Sequence, residues 1–231
     1  GKTVTLAYLA SLVARQDSSL GDRTSLLPIY LDARELCFTE SSENAILSTL
    51  SDSVSKIIPR NVQRQVPALL QSALTNGSLL LILDGLDELH PTQELPKISK
   101  FLSDLQNQFS GVRIVLAASP YHLNGLLNPG IHPFVLSPWS LSQKNAFLDR
   151  WSVLWNEKIK SGNKLFVAPD VDARLLQSWI RNLPANLNPL EFTLRVWSAF
   201  SGDLQQGAIS YAGLETYLTR SISSEASRLA V

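Results

Sequence analysis

The chain has 231 residues, of which 45% are hydrophobic, so it can bury a real core and is not a disordered tail. Lys and Arg together number 20, as do Asp and Glu, and this neutral balance disfavours bulk nucleic-acid binding. A single cysteine, Cys37, excludes an internal disulfide and favours a reducing, cytoplasmic location. No apolar run reaches the roughly 18 residues of a membrane-spanning helix, so we expect no membrane segment.

Helix and strand patterns alternate along the first part of the chain. Apolar residues at helical spacing predict helices, and short uninterrupted apolar runs predict buried strands. The predicted helices cover residues 4–15, 46–57, 67–76 and 95–105, and the predicted strands cover 26–34, 79–83, 112–118 and 133–137. Strands that alternate with helices favour an α/β fold with a parallel sheet and right-handed crossovers.

From about residue 138 onward the pattern is helical only. The predicted helices cover residues 142–158, 171–181, 189–200 and 210–226. We therefore expect two domains, 1–137 and 138–231, divided near Ser137-Pro138. The second is expected to be a small all-α domain.

The chain begins with Gly1-Lys2-Thr3, directly before the first predicted helix. This order is the last part of G-x-x-x-x-G-K-[ST], a loop whose backbone N–H groups cradle phosphates at a helix N-terminus. Lys2 would reach the β and γ phosphates, and the Thr3 hydroxyl would bind Mg²⁺. Alone the tripeptide is weak, because a chance glycine and lysine at a chain end look the same. Since methionine is absent as well, we expect a cut chain that lacks the first strand and most of the phosphate loop.

Residues 79–89, LLLILDGLDEL, place three acids directly after a predicted buried strand. The end of such a strand lies at the carboxyl edge of a parallel sheet, where these folds bind ligands. Asp84 is expected on the Mg²⁺ side, through a water, since Mg²⁺ keeps several waters. Asp87 and Glu88 are candidates to orient or deprotonate an attacking water. The alternative is a strand that leaves the core into an acidic, solvated turn.

Together with LPIYLDAREL at residues 27–36, these segments make the chain similar to the NACHT branch of the STAND signalling P-loop ATPases. The similarity spans nearly the whole chain and implies a P-loop NTPase-type parallel sheet with flanking helices, followed by a small helical domain. In the family a small residue follows the Mg²⁺ aspartate, and a pair of acids comes next. Here these positions are Asp84, Gly85, Asp87 and Glu88.

Two other positions bear on this resemblance. The family carries a proline that packs near the adenine, and Pro189 of Asn188-Pro189-Leu190 matches it, although a first helical turn also explains a proline. After the third predicted strand the family has Thr-Ser-Arg-Pro, whose arginine senses the γ-phosphate, and Ser119 stands in that place here. A serine offers one weak donor and no positive charge, which weakens the case for hydrolysis more than the case for binding.

The resemblance implies a module that binds ATP and Mg²⁺ and slowly hydrolyses ATP to ADP. In such a module the nucleotide state controls domain opening and self-association, and effector and sensor domains share the same chain. Gly1, Lys2, Thr3 and Pro189 would bind the nucleotide, and Thr3 and Asp84 would face the metal. Two alternatives stay open: a catalytically inactive nucleotide-binding scaffold, and another P-loop class such as a helicase loader or a transport ATPase.

Overall fold

The computed structural model divides the chain into two compact units. One is Lys2–Phe134, and the other is Gly1 together with Val135–Val231. The structure describes residues 1–38, 44–90, 92–119, 131–160, 176, 180, 183–184, 186–200 and 218.

The Lys2–Phe134 unit alternates helices with strands. Its elements are α1 (Lys2–Ala14), β1 (Leu27–Asp32), α2 (Ala45–Ile57), α3 (Val66–Thr75), β2 (Leu79–Asp84), α4 (Leu95–Gln108) and β3 (Arg113–Leu116). Prolines lie in the first turns of α3 and α4, where a missing N–H breaks no helical hydrogen bond. Two short turns of 3-10 helix follow the first two strands: the β1 turn (Ala33–Glu35) and the β2 turn (Leu86–Glu88).

The three described strands form one parallel sheet in the order β1-β2-β3. The register pairs Leu27 with Leu79 at one end and Asp32 with Asp84 at the other. Every residue of β2 is buried, which is why its sequence is an unbroken apolar run up to Asp84. These features confirm the predicted α/β class with a parallel sheet.

The sheet has an apolar core on each face because side chains alternate along β2. Leu79, Leu81 and Leu83 face the larger core, which α2, α3 and α4 cover. Leu80 and Ile82 face a smaller core, against Leu6 and Val13 of α1. The packing of Leu6 and Val13 places α1 on this second face, and Lys2 is the first residue of that helix.

In the other unit the described residues include two longer helices, α5 (Leu141–Leu154) and α6 (Pro189–Phe200). A capping box between Ser140 and Gln143 starts α5, which continues as a π-helix over Trp155–Lys160. Their apolar core contains Leu148, Trp155, Phe192, Val196 and Phe200. Among the described helices, none combines the length and apolar character that a bilayer crossing requires.

The strand predicted over residues 133–137 is absent. These residues are irregular, and Phe134 and Val135 are 94% and 88% exposed. A short apolar run becomes a strand only where a neighbouring strand pairs with it, and Pro133 and Pro138 at its ends supply no N–H for such pairing. The predicted helices over 171–181 and 210–226 lie outside the described residues, apart from Leu176, Ile180 and Leu218.

Candidate functional site

The carboxyl ends of β1 and β2 meet at one edge of the sheet, and each ends in an aspartate. Asp84 is 9% exposed, and its Oδ2 accepts a hydrogen bond of 3.1 Å from the Tyr30 hydroxyl on β1. Burial raises the pKa of Tyr30, and the bond to Asp84 raises that pKa further. Within the described ranges no hydrogen bond to Asp84 Oδ1 is found.

The chain turns sharply at Gly85, directly after Asp84. Its φ of +74° is in the left-handed region, which favours glycine. A Cβ at this position would also lie 2.9 Å from Asp32 Oδ1 and 3.2 Å from the carboxyl carbon. The small residue after Asp84 is therefore needed for two reasons. It lets the β2 turn begin, and it leaves room for the Asp32 carboxylate.

Asp87 connects the start of α1 to the loops at this edge. Lys2 Nζ lies 2.7 Å from Asp87 Oδ2, and the two side chains are 44% and 28% exposed. The backbone N–H of Ser119, in the segment after β3, donates to Asp87 Oδ1. Lys2 and Ser119, which the sequence singled out for separate reasons, thus both contact the Asp87 carboxylate, and each of its oxygens is engaged.

Glu88 faces a different partner, Arg34 of the β1 turn. Arg34 Nη1 lies 2.5 Å from Glu88 Oε2, and the same guanidinium bonds to both oxygens of Asp32, with Nε–Oδ1 2.9 Å and Nη2–Oδ2 2.5 Å. The bonds from Arg34 hold the pKa of Asp32 below its ordinary value, and they raise the pKa of Arg34. Arg34 is a site residue that sequence reasoning missed. The available signal was an Asp-Ala-Arg segment directly after a predicted strand.

The remaining predicted site residues have fewer contacts. Thr3 is exposed in the first turn of α1, next to Lys2, and Gly1 is exposed before it. Pro189 begins α6 in the other unit, where its carbonyl accepts a 2.8 Å hydrogen bond from the Thr193 hydroxyl. The proposed contact of Pro189 with an adenine stays a prediction.

Acidic groups outnumber basic groups at this edge of the sheet. Among the described contacts, Asp32, Asp84, Asp87 and Glu88 contribute carboxylates and Lys2 and Arg34 contribute cations, and Glu35 adds a further acid in the β1 turn. Such a surplus favours a divalent cation over a bare anion. In the part of the chain that the structure describes, no three His, Cys, Asp or Glu side chains are grouped as a ready metal site.

Comparisons with family models, with curated proteins and with solved structures find no match to this chain.

Proposed function

We propose that the carboxyl edge of the sheet binds ATP with Mg²⁺, and that the chain is a NACHT-type switch module of a larger signalling or defence protein. The observation that carries the proposal is the 2.7 Å contact between Lys2 Nζ and Asp87 Oδ2. It places the beginning of α1 beside the acids that follow β2. A phosphate-binding lysine and a metal-binding acid of a P-loop site need this proximity.

The phosphates would lie at the N-terminus of α1. This helix has 13 residues, and its first N–H groups and its dipole favour an anion there. Lys2 is neutralised by Asp87 in the described structure, so an incoming phosphate would replace that carboxylate as its partner. Because one anion replaces another beside Lys2, the electrostatic free energy of the lysine changes little.

The residues present fit a Mg²⁺ ion that is shared with the nucleotide. Mg²⁺ binds oxygen ligands and is commonly held by one or two protein groups together with substrate phosphates. Asp84 offers Oδ1, since Tyr30 engages Oδ2, and Thr3 offers an exposed hydroxyl one residue after Lys2. When bound, Mg²⁺ would neutralise charge on the phosphate oxygens.

Of the two candidate acids for the attacking water, the geometry favours Glu88. Both oxygens of Asp87 are engaged, by Lys2 and by the Ser119 N–H. Glu88 uses Oε2 toward Arg34, and no described residue bonds to its Oε1. In the proposed hydrolysis Glu88 accepts a proton from water. The water oxygen bonds to the γ-phosphorus, and the bond from that phosphorus to the ADP oxygen breaks.

A second candidate is a scaffold that binds nucleotide without turnover. The observation in its favour is that Ser119 meets Asp87 through its backbone N–H, so the segment after β3 brings no cationic side chain at that position. Steady-state ATP turnover separates the two candidates. Release of phosphate that is lost in Asp84→Asn favours the enzyme, and nucleotide binding without any release favours the scaffold.

The test of nucleotide binding uses the full-length protein and compares Lys2→Ala with Lys97→Ala. Lys97 lies exposed on α4 and serves as a matched loss of one lysine charge. Titration with a fluorescent ATP analogue and Mg²⁺ should give a Kd that rises about tenfold to a hundredfold for Lys2→Ala, the range expected for a charge-assisted contact. An unchanged Kd would remove the proposal.

The proposed output of the switch is self-association that depends on the nucleotide. A change of bound nucleotide commonly moves a two-state protein between arrangements of its domains. Light scattering of the same protein with ATP, with ADP and without nucleotide tests this step. Identical masses in all three conditions would count against the switch while leaving nucleotide binding in place.

A further inference from the structure

Arg34 links the two turns that follow β1 and β2. Its guanidinium touches Asp32 on its own side, and its Nη1 reaches Glu88 Oε2 across the sheet edge at 2.5 Å. The link exists because β1 and β2 are parallel and in register, with Asp32 opposite Asp84. The turns that follow these two residues are therefore neighbours.

Asp32 holds Arg34 in one direction. Its carboxylate accepts three hydrogen bonds from Arg34, from the backbone N–H at 2.9 Å, from Nε at 2.9 Å and from Nη2 at 2.5 Å. A paired, two-oxygen contact of this kind fixes the plane of the guanidinium. Because Gly85 has no side chain, the Asp32 carboxylate can lie directly against the beginning of the β2 turn.

We infer that Arg34 is a positioning residue, which orients the Glu88 carboxylate so that its second oxygen faces the attacking water. This inference rests on the proposed function. Glu88 is 55% exposed, and an exposed glutamate has several rotamers of similar energy. With Oε2 fixed on Arg34, the direction of Oε1 is fixed as well, and Oε1 is the oxygen that no described residue engages.

A purely structural salt bridge is the rival explanation, and it makes different predictions. Both partners are more than half exposed, at 54% and 55%, and exposed pairs add little to stability. The structural explanation predicts no change in kcat when the pair is broken. A direct contact of Arg34 with the nucleotide would raise KM instead, since binding itself would weaken.

The experiment measures ATP hydrolysis in the presence of Mg²⁺ by the full-length protein, unmodified and as Arg34→Gln, Glu88→Gln and the double variant. Arg34→Gln is expected to lower kcat about tenfold with nucleotide affinity unchanged, because a misplaced catalytic group costs rate rather than binding. Arg34→Lys keeps the positive charge but cannot form the paired hydrogen bonds of a guanidinium. Its kcat is expected between that of the unmodified protein and that of Arg34→Gln. Arg64→Gln, at an exposed arginine of another turn, is the matched control and should leave kcat unchanged.

The double variant decides whether Arg34 acts through Glu88. If it does, Arg34→Gln lowers kcat no further once Glu88→Gln is in place. Equal losses in both backgrounds, or an Arg34→Gln kcat equal to that of the Arg64→Gln control, would overturn the inference and leave the proposed ATPase intact. Binding of nucleotide without hydrolysis by the unmodified protein would overturn both this inference and the hydrolytic function, while leaving nucleotide binding.

Discussion

Replacing Asp87 with asparagine should tighten nucleotide binding, the opposite of what the loss of an ordinary site residue does. In the described structure Asp87 pairs with Lys2, the residue proposed to hold the phosphates. Its negative charge also lies where those phosphates would come. Asparagine keeps the shape and an oxygen that can accept from the Ser119 N–H, so the loop after β3 should keep its place.

The size of this effect follows from the exposure of the pair. Lys2 and Asp87 are 44% and 28% exposed, so their attraction is screened by solvent. Pairs of this kind contribute roughly 0.2–1 kcal/mol. Removing the competitor should therefore lower the Kd by about 1.4-fold to fivefold. The decrease in Kd should become smaller as salt is added, because salt screens the attraction between Lys2 and Asp87 that the substitution removes.

The assay is a titration with a fluorescent ATP analogue at two salt concentrations, in the presence of Mg²⁺. Asp104→Asn is the matched control, since Asp104 is an exposed acid on α4. Its Kd should equal that of the unmodified protein. A higher Kd for Asp87→Asn, in a protein whose thermal unfolding is unchanged, would show that Asp87 supports binding instead of competing with it. The assignment of the two acids would then be wrong.

Three further predictions concern the frame of the site. Gly85→Ala should lower the free energy of unfolding by about 1–3 kcal/mol in a urea titration, because the position has a positive φ and a Cβ there would contact Asp32. Gly21→Ala is the control: this position also has a positive φ but open space around it, so the loss in free energy of unfolding should be smaller. Leu81→Ala, at a side chain with 0% exposure, should cost about 2–5 kcal/mol in the same measurement, and a loss below 1 kcal/mol would contradict the described core. Because Arg34 lowers the pKa of Asp32 from its ordinary 3.8, their bond should stabilise the fold above about pH 4 and lose that effect as the pH falls further; Asp32→Asn should remove this part of the acid dependence in thermal unfolding curves.

The α/β pattern could be predicted from sequence because each element carries its own period. The unbroken run in β2 and the helical spacing of Leu95, Ile98, Phe101, Leu102 and Leu105 in α4 both reflect local burial. Residues 133–137 show the limit of this reasoning. Their apolar run resembles that of a buried strand, but pairing depends on a neighbour that the run itself does not specify.

The site could be predicted only in part for a similar reason. Its acids stand out because they follow a buried strand directly, and Lys2 stands out because it precedes a helix. Which side chains form ion pairs depends on the register of the strands and on the conformation of the turns. The bond from Arg34 to Glu88 requires β1 beside β2 with Asp32 opposite Asp84, and the bond from Lys2 to Asp87 requires α1 to pack on the sheet. Neither is visible in the local sequence.

Asp84 and Lys2 are proposed to serve one Mg²⁺–nucleotide site at the carboxyl edge of the sheet. The decisive test of this proposal is a titration of ATP into the unmodified protein and into Asp84→Asn, each with Mg²⁺ and again with a chelator. Mg²⁺ should tighten ATP binding to the unmodified protein and should have little effect on ATP binding to the variant. Equal affinity of the unmodified protein with and without Mg²⁺, or a full Mg²⁺ effect in Asp84→Asn, would contradict it.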